Sequence, residues 1–386
     1  MKLLIVSLDA YSLFDTSTRF IFGGAELRSS LFAKELSQLP DVNVTLVTRD
    51  HARGNLKSGN VSLVPHPGKK GKGYWENQKK LSTRIKNRLS FSGKKEETFF
   101  FDGHNPTHVL ILGMSPDAVD CLKYCRKAKI PFIFGCASDF DLSEKYLDAN
   151  SPVDISGNDA SEYADVLRNA SLVLVQSQQQ QEMLEKRFGR KGMILPNPVS
   201  PEFPAEIPAS ISSSDVLWIG KTSPVKRPEL FLQLVQAFPD LKFRMILNNT
   251  DQKMWDELIS KKTDNLEIIE SVPAAEIEFY FRRTKLFVNT SSVEGFPNTF
   301  LQAGKYGIPV VSMVVDPDQI ISVKKSGILS GDNIDSLKKS VQQLLNDSGA
   351  YRACSDSIRS YVMSTHDAKK ISKELFDAIV KLHPPA

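Results

Sequence analysis

The sequence is poor in the residues that build disulfide and metal sites. Its 386 residues include four cysteines and six histidines. Cys121, Cys125, Cys136 and Cys354 fit neither a disulfide framework nor zinc-ligand spacing, and the histidines at 51, 66, 104, 108, 366 and 383 show no ligand pattern. Cys121 and Cys125, four apart in a helix-like stretch, read as small buried apolar residues. A reducing, cytoplasmic setting follows as the default. Long apolar runs are also missing. The opening MKLLIVSLDA is broken by Asp9; it is too short for a signal peptide and reads as a first buried strand. No stretch approaches the roughly 20 apolar residues of a spanning helix, which leaves only peripheral membrane contact. A large excess of either charge is missing too. With 49 Lys and Arg against 45 Asp and Glu, the net charge of +4 suits anionic ligands but does not indicate nucleic acid.

What is present is an ordinary globular composition, 41% hydrophobic and 24% charged, over a length that favours two domains. In the first half, short apolar runs read as strands at Leu3–Leu8, Val42–Val47, Val109–Leu112, Pro131–Phe134 and Leu172–Val175. Helical patterns such as Ala25–Leu39 and Asp117–Ala128 separate them. This alternation predicts a parallel sheet with right-handed crossovers. Residues 196–214, PNPVSPEFPAEIPASISSS, are too rich in Pro and Ser to continue either element and read as an interdomain linker.

The alternation then restarts, with strands at 216–220, 243–247, 266–269, 286–289 and 309–313. Helices are expected at Pro228–Phe238, Ala274–Arg283 and Asn298–Tyr306. The expected architecture is α/β, two doubly wound Rossmann-like domains facing each other across a ligand-binding cleft. The boundaries fall at 1–200 for an N-terminal domain, 201–365 for a second domain, and 366–386 for a C-terminal helix that packs back on the first.

Residues 68–97 stand apart, with ten Lys and Arg and acids only at Glu76, Glu96 and Glu97. They read as a solvated loop or surface helix. The sharper alternative is a basic arm that meets anionic lipid or a phosphorylated acceptor, with Tyr74, Trp75 and Phe91 as anchors.

The most informative segment is TSSVEGFPNTFLQAGKYGIP, Thr290–Pro309. It follows a predicted strand, and a helix opens near Asn298, just after Pro297. Such a junction aims unpaired N–H groups and the positive helix end at a ligand, a seat suited to pyrophosphate. Gly295 permits close approach of the backbone. Glu294 sets a carboxylate beside that seat, which makes electrostatic sense if sugar hydroxyls lie between it and the phosphates.

EGFPNTFLQAG resembles the donor-binding signature of the family-4 retaining glycosyltransferases, which have the GT-B fold. The family pattern has two glutamates separated by seven residues; Glu294 matches the first, and Gln302 occupies the second. The resemblance implies that Glu294 contacts the donor sugar. It further implies that Gly295, Phe296, Pro297 and Asn298 line the sugar site with backbone groups, and that Thr299 and Phe300 lie near the diphosphate. Gln302 replaces a carboxylate that binds ribose, which implies weaker ribose binding.

In WIGKTSPVKRPELFLQL, Trp218–Leu234, a strand ends at Gly220 and cations follow at Lys221 and Lys226. The family has an Arg after the glycine and a Lys five residues later, both on the donor pyrophosphate. Lys226 matches, while Lys221 brings charge without the bidentate fork. In FGGAE, Phe22–Glu26, the resemblance implies that Gly23 and Gly24 close over the donor phosphates. The stretch 173–199 resembles the family's exit from the first domain, with Ser177 as a helix cap. After the strand near Phe134 many members place a histidine, but this chain reads GCASDFD. Asp139 is then the candidate for an acceptor or sugar contact, with helix capping, or metal binding through Asp139-Phe140-Asp141, as alternatives. The base pocket is expected near Asn248 and Ser271–Pro273.

The implied reaction is hexosyl transfer with retention from a nucleotide sugar, a UDP-sugar being the expected donor, to a saccharide or lipid-linked saccharide acceptor. Polysaccharide or glycoconjugate synthesis is the expected setting. With one carboxylate and no pair, front-face attack is the economical mechanism. Glu294, Lys221, Lys226 and Asp139 are the catalytic candidates, and no metal or other cofactor is required. The competing readings are an epimerase or phosphorylase of the same fold, or a weakly active donor-binding subunit. No recognised nucleic-acid module is present.

Overall fold

The computed structural model describes residues 1–15, 22–50, 56–70, 101, 103–148, 160–200, 202 and 211–382. The basic stretch from residue 71 onward, with Tyr74, Trp75 and Phe91, lies outside these, as do residues 201 and 203–210 of the Pro- and Ser-rich segment. The described parts of 1–15, 22–195 and 369–382 form one compact unit, and those of 196–368 form another.

The first unit contains β1 (Lys2–Val6), α1 (Gly24–Leu36), β2 (Asn43–Asp50), β3 (Leu56–Ser58), β4 (Val61–Lys70), β5 (His108–Leu112), α2 (Pro116–Ala128), β6 (Phe132–Gly135), α3 (Ala160–Asn169), β7 (Leu172–Val175), α4 (Gln178–Phe188) and β8 (Met193–Ile194). The sheet order is β3-β4-β2-β1-β5-β6-β7-β8, and only the β3–β4 pair is antiparallel. The continuous apolar run of β1 follows from burial on both faces: Leu3 and Ile5 enter one hydrophobic cluster, Leu4 and Val6 the other. One expectation needs correcting at its edge. Residues 68–70 close β4 and are not part of a loop or surface helix.

The second unit contains β9 (Ser214–Lys221), α5 (Pro228–Ala237), β10 (Phe243–Asn248), α6 (Gln252–Ser260), β11 (Leu266–Ile269), α7 (Ala274–Phe281), β12 (Thr284–Asn289), α8 (Asn298–Lys305), β13 (Val310–Ser312), β14 (Gly327–Leu329), α9 (Ile334–Asn346) and α10 (Ser348–Thr365). All six strands are parallel, in the order β11-β10-β9-β12-β13-β14. Counted within the unit this is 3-2-1-4-5-6, the Rossmann order, whose direction reverses between β9 and β12. At such a switch point, successive connections leave on opposite faces and a crevice opens beyond the strand ends.

The last helix, α11 (Ala368–Ile379), returns the chain to the first unit. Its Ile371, Leu375 and Ile379 recur every four residues, lie at most 1% exposed, and join the cluster of Leu3 and Ile5. Among the described residues, no helix is long and apolar enough to cross a membrane.

Candidate functional site

The switch point of the second unit sets two loops side by side. The loop after β9 runs from Thr222 to Arg227, and the loop after β12 runs from Thr290 to Pro297. They are stapled together by main-chain and hydroxyl contacts. The Ser292 N–H donates to the Val225 carbonyl at 2.8 Å. The fully buried Thr290 hydroxyl donates to the Lys226 carbonyl at 2.7 Å and accepts from Trp218 Nε1 at 2.9 Å.

Lys226 and Glu294 meet where these loops touch. The Lys226 ammonium donates to Glu294 Oε1, which also accepts from the Ser291 hydroxyl at 2.8 Å. Both side chains are mostly sheltered, 27% and 17% exposed, so solvent screens the pair only in part. Oε1 is saturated, but Oε2 accepts nothing among the described residues, and two ammonium hydrogens remain. The pair therefore holds itself in place and still offers one carboxylate oxygen and two cationic donors to a ligand. Lys221 is half-buried at the end of β9, in register with Asn248 of β10, and its ammonium makes no hydrogen bond or ion pair to another described residue.

The helix behind the second loop adds donors. α8 begins at Asn298 with Pro297 at its N-cap, and no side chain caps it. Its positive end is thus left for an external anion. Asn197, fully buried, donates from Nδ2 to the Phe296 carbonyl at 3.0 Å and to Asn298 Oδ1 at 3.3 Å. The Asn197 carbonyl accepts from His366 Nδ1 at 2.7 Å, which fixes the proton on that nitrogen. Burial lowers the His366 pKa to about 4, and its Nε2 has no partner among the described residues.

Several predicted residues have a different occupation. The Phe296 and Phe300 side chains belong to the hydrophobic core, and the Phe300 N–H donates to the Pro297 carbonyl. The Phe300 side chain anchors α8 to the core; its ring packs edge-on to that of Phe287, the centroids 6.3 Å apart. Gly220 makes room for an indole, since a Cβ there would meet the Trp218 ring at 2.5 Å. Gly295, Asn298, Thr299 and Gln302 are half-buried, and Pro297 is buried.

Gly23, Gly24 and Asp139 belong to the first unit. The Gly23 N–H donates to Glu26 Oε2 at 2.7 Å, so this amide and the positive end of α1 are already served by a carboxylate. Asp139 Oδ1 accepts from Gln180 Nε2 at 3.0 Å, and burial raises the Asp139 pKa.

Its neighbour Asp141 is a loop lock, accepting from the Met114, Ala137 and Ser138 N–H groups at 2.9, 2.6 and 3.0 Å. Burial raises its pKa against the pull of these amides and of Arg28. No cluster of three or more potential metal-ligating side chains occurs among the described residues. Arg28, 1% exposed, donates to the Cys136 carbonyl at 2.7 Å, while its Nε and Nη2 have no partner among the described residues; burial lowers its pKa to about 10.

Thr290, Ser291, Asn197 and Arg227 are invisible as site residues in the sequence. Thr290 and Ser291 stand inside the most informative segment, yet small hydroxyl residues in a loop are common. Asn197 lies in the expected linker, where only the NP pair hints at a turn.

Residues 201–361 match the family model of glycosyl transferases group 1. An uncharacterized glycosyltransferase from Haemophilus influenzae is 23% identical over 159 residues, which are 39% of this chain and 45% of that protein. The chain thus spans under half the length of this curated relative. Two solved structures share the fold over nearly the whole chain. A sucrose-phosphate synthase from Thermosynechococcus elongatus superposes with a TM-score of 0.74 at 13% identity, covering 99% of this chain and 98% of that one. Anabaena HepE in complex with UDP and glucose gives 0.73 at 14% identity, covering 99% and 100%. The chain has the GT-B fold of two Rossmann-like α/β units, and its second unit carries the match to glycosyl transferases group 1.

Proposed function

We propose that the chain is a retaining glycosyltransferase that moves a sugar from a nucleotide-sugar donor, a UDP-sugar, onto an acceptor hydroxyl. The observation that carries this is the Lys226–Glu294 pair at the β9/β12 switch point, with one free carboxylate oxygen and spare ammonium hydrogens beside an uncapped helix start. A carboxylate repels phosphate but accepts from sugar hydroxyls; an ammonium attracts phosphate and donates to its oxygens. Side by side, they match the two halves of one sugar-diphosphate ligand.

In the proposed reaction the donor C1–O bond breaks as the diphosphate leaves. The acceptor oxygen bonds to C1 from the same face, and a diphosphate oxygen takes the acceptor's proton. Lys226, Lys221 and the amides at the start of α8 stabilise the charge that gathers on the leaving group. Glu294 Oε2 holds the sugar for attack. No second carboxylate is needed as a nucleophile. The saccharide or lipid-linked saccharide acceptor, its use in polysaccharide or glycoconjugate synthesis, the cytoplasmic setting and contact of residues 68–97 with anionic membrane belong to the same proposal.

The test is a melting-temperature screen against UDP-, GDP-, ADP- and CDP-sugars, followed by NMR of the first-formed anomer during donor turnover. A ligand held by the folded state at 100 times its Kd adds about 2.7 kcal/mol of stability. One nucleotide class is expected to raise the melting temperature, and the first-formed anomer is expected to match the donor. An inverted anomer would refute retention, and binding without turnover would make the chain a donor-binding subunit.

A further inference from the structure

Lys226 and Glu294 come from loops 68 residues apart in sequence, and a lone partly exposed ion pair is a weak ruler. Beneath it lies a stronger one. The Thr290 side chain grips the main chain of the first loop, its hydroxyl donating to the Lys226 carbonyl at 2.7 Å. The Arg227 side chain grips the main chain of the second, its Nε donating to the Thr290 carbonyl at 2.6 Å. Each residue thus holds the backbone that carries, or adjoins, the other.

The guanidinium reaches further, to the Ser291 carbonyl at 3.5 Å, to the Met313 sulfur at 3.9 Å after β13, and to the Asp332 carboxylate after β14. It braces the carboxyl ends of three neighbouring strands. Arg227 also adopts φ +48° and ψ +52°, a left-handed conformation that strains a non-glycine residue. Glycine would adopt it without strain. The contacts of this guanidinium compensate for the backbone cost.

We infer that Thr290 and Arg227 form a reciprocal clamp that sets the spacing of Lys226 and Glu294, and that both are positioning residues for the leaving diphosphate. The inference rests on the proposed function. The clamp acts on alignment: a misplacement of about 1 Å at the reacting centre costs up to about 10²-fold in rate while binding of the nucleotide survives.

The experiment compares wild type with Thr290→Val, Thr290→Ser, Arg227→Gly and the Thr290→Val/Arg227→Gly double variant. Three quantities are read: melting temperature, UDP affinity by calorimetry, and kcat for UDP release from UDP-glucose. Thr290→Val keeps the shape and loses the hydroxyl; Thr290→Ser restores it. Arg227→Gly relieves the backbone strain while deleting the brace, so the relief offsets part of the stability lost with its contacts.

Thr290→Val and Arg227→Gly are expected to lose at least about 10-fold in kcat with UDP affinity within about 3-fold. Thr290→Ser should recover most of the rate. The double variant should fall little below the worse single one, because both changes open one device. If Thr290→Val fails to fold, Arg227→Gly alone decides the matter. A wild type that neither binds UDP nor releases it from UDP-glucose sinks the proposed function and the clamp with it. A wild type that does both, while Arg227→Gly keeps its kcat or loses UDP affinity and kcat alike, sinks the clamp alone.

Discussion

At the residue scale, the charged groups of the site are legible in the sequence and the neutral ones that hold them are not. Lys226 and Glu294 stand out because the strings around them, WIGKTSPVKRPELFLQL and EGFPNTFLQAG, resemble the donor-binding pattern of the family-4 retaining glycosyltransferases. Thr290 and Asn197 do ordinary hydrogen bonding that any loop shows, and only the fold reveals that their partners are the backbone of Lys226 and Phe296. Phe300, a motif position, points its side chain into the core, a packing role that the motif alone does not reveal. His366 has no ligand spacing, yet it is a pH-sensitive strut. It is buried against the rings of Phe296 and Tyr361, with a pKa lowered to about 4. Unfolded, a histidine titrates near 6.5. Between these values the unfolded chain binds the extra proton, so stability is full above about pH 6.5 and falls as pH drops toward 4, by about 3 kcal/mol over the whole window. Denaturant titrations of wild type and His366→Asn from pH 7 to 4 should show a flatter slope in the variant. Parallel slopes would remove His366 from the acid response.

At the element scale, strands and helices are readable where apolar periodicity is strong, as in β1, β9, β10 and α8. The short β3 and β14, and the whole of β4, escape. Three-residue strands carry too little pattern, and the Pro, Gly and Lys residues of β4 resemble a loop. The signature segment also contains a residue whose reason is purely packing. A Cβ on Gly304 of α8 would lie 2.5 Å from Val362 Cγ2 and 3.2 Å from the Ile358 carbonyl of α10. Both neighbours are at most 1% exposed and have nowhere to retreat. Alanine would gain up to about 1 kcal/mol of helix propensity but incur about 1–3 kcal/mol of overpacking. Gly304→Ala should therefore melt lower than wild type, and Gly304→Ala with Val362→Ala should recover part of the loss if the contact is the cause. A Gly304→Ala chain as stable as wild type would contradict the close crossing of α8 and α10.

At the scale of the whole molecule, the alternation of strands and helices on either side of a Pro-rich break predicts two α/β units, and the GT-B fold is what the chain has. The direction reversal between β9 and β12 then explains why the informative motifs fall where they do: both follow strands that flank the switch point. The candidate site lies in the second unit, where a cation and a carboxylate share one loop junction. The measurement that tests this most directly is the split between kcat and donor affinity in Lys226→Ala, using the nucleotide sugar selected by the melting screen. If the ammonium acts on the departing diphosphate, kcat should drop far more than affinity, by about 10² or more against a few-fold. Equal losses in kcat and affinity, or an unchanged kcat, would contradict the account.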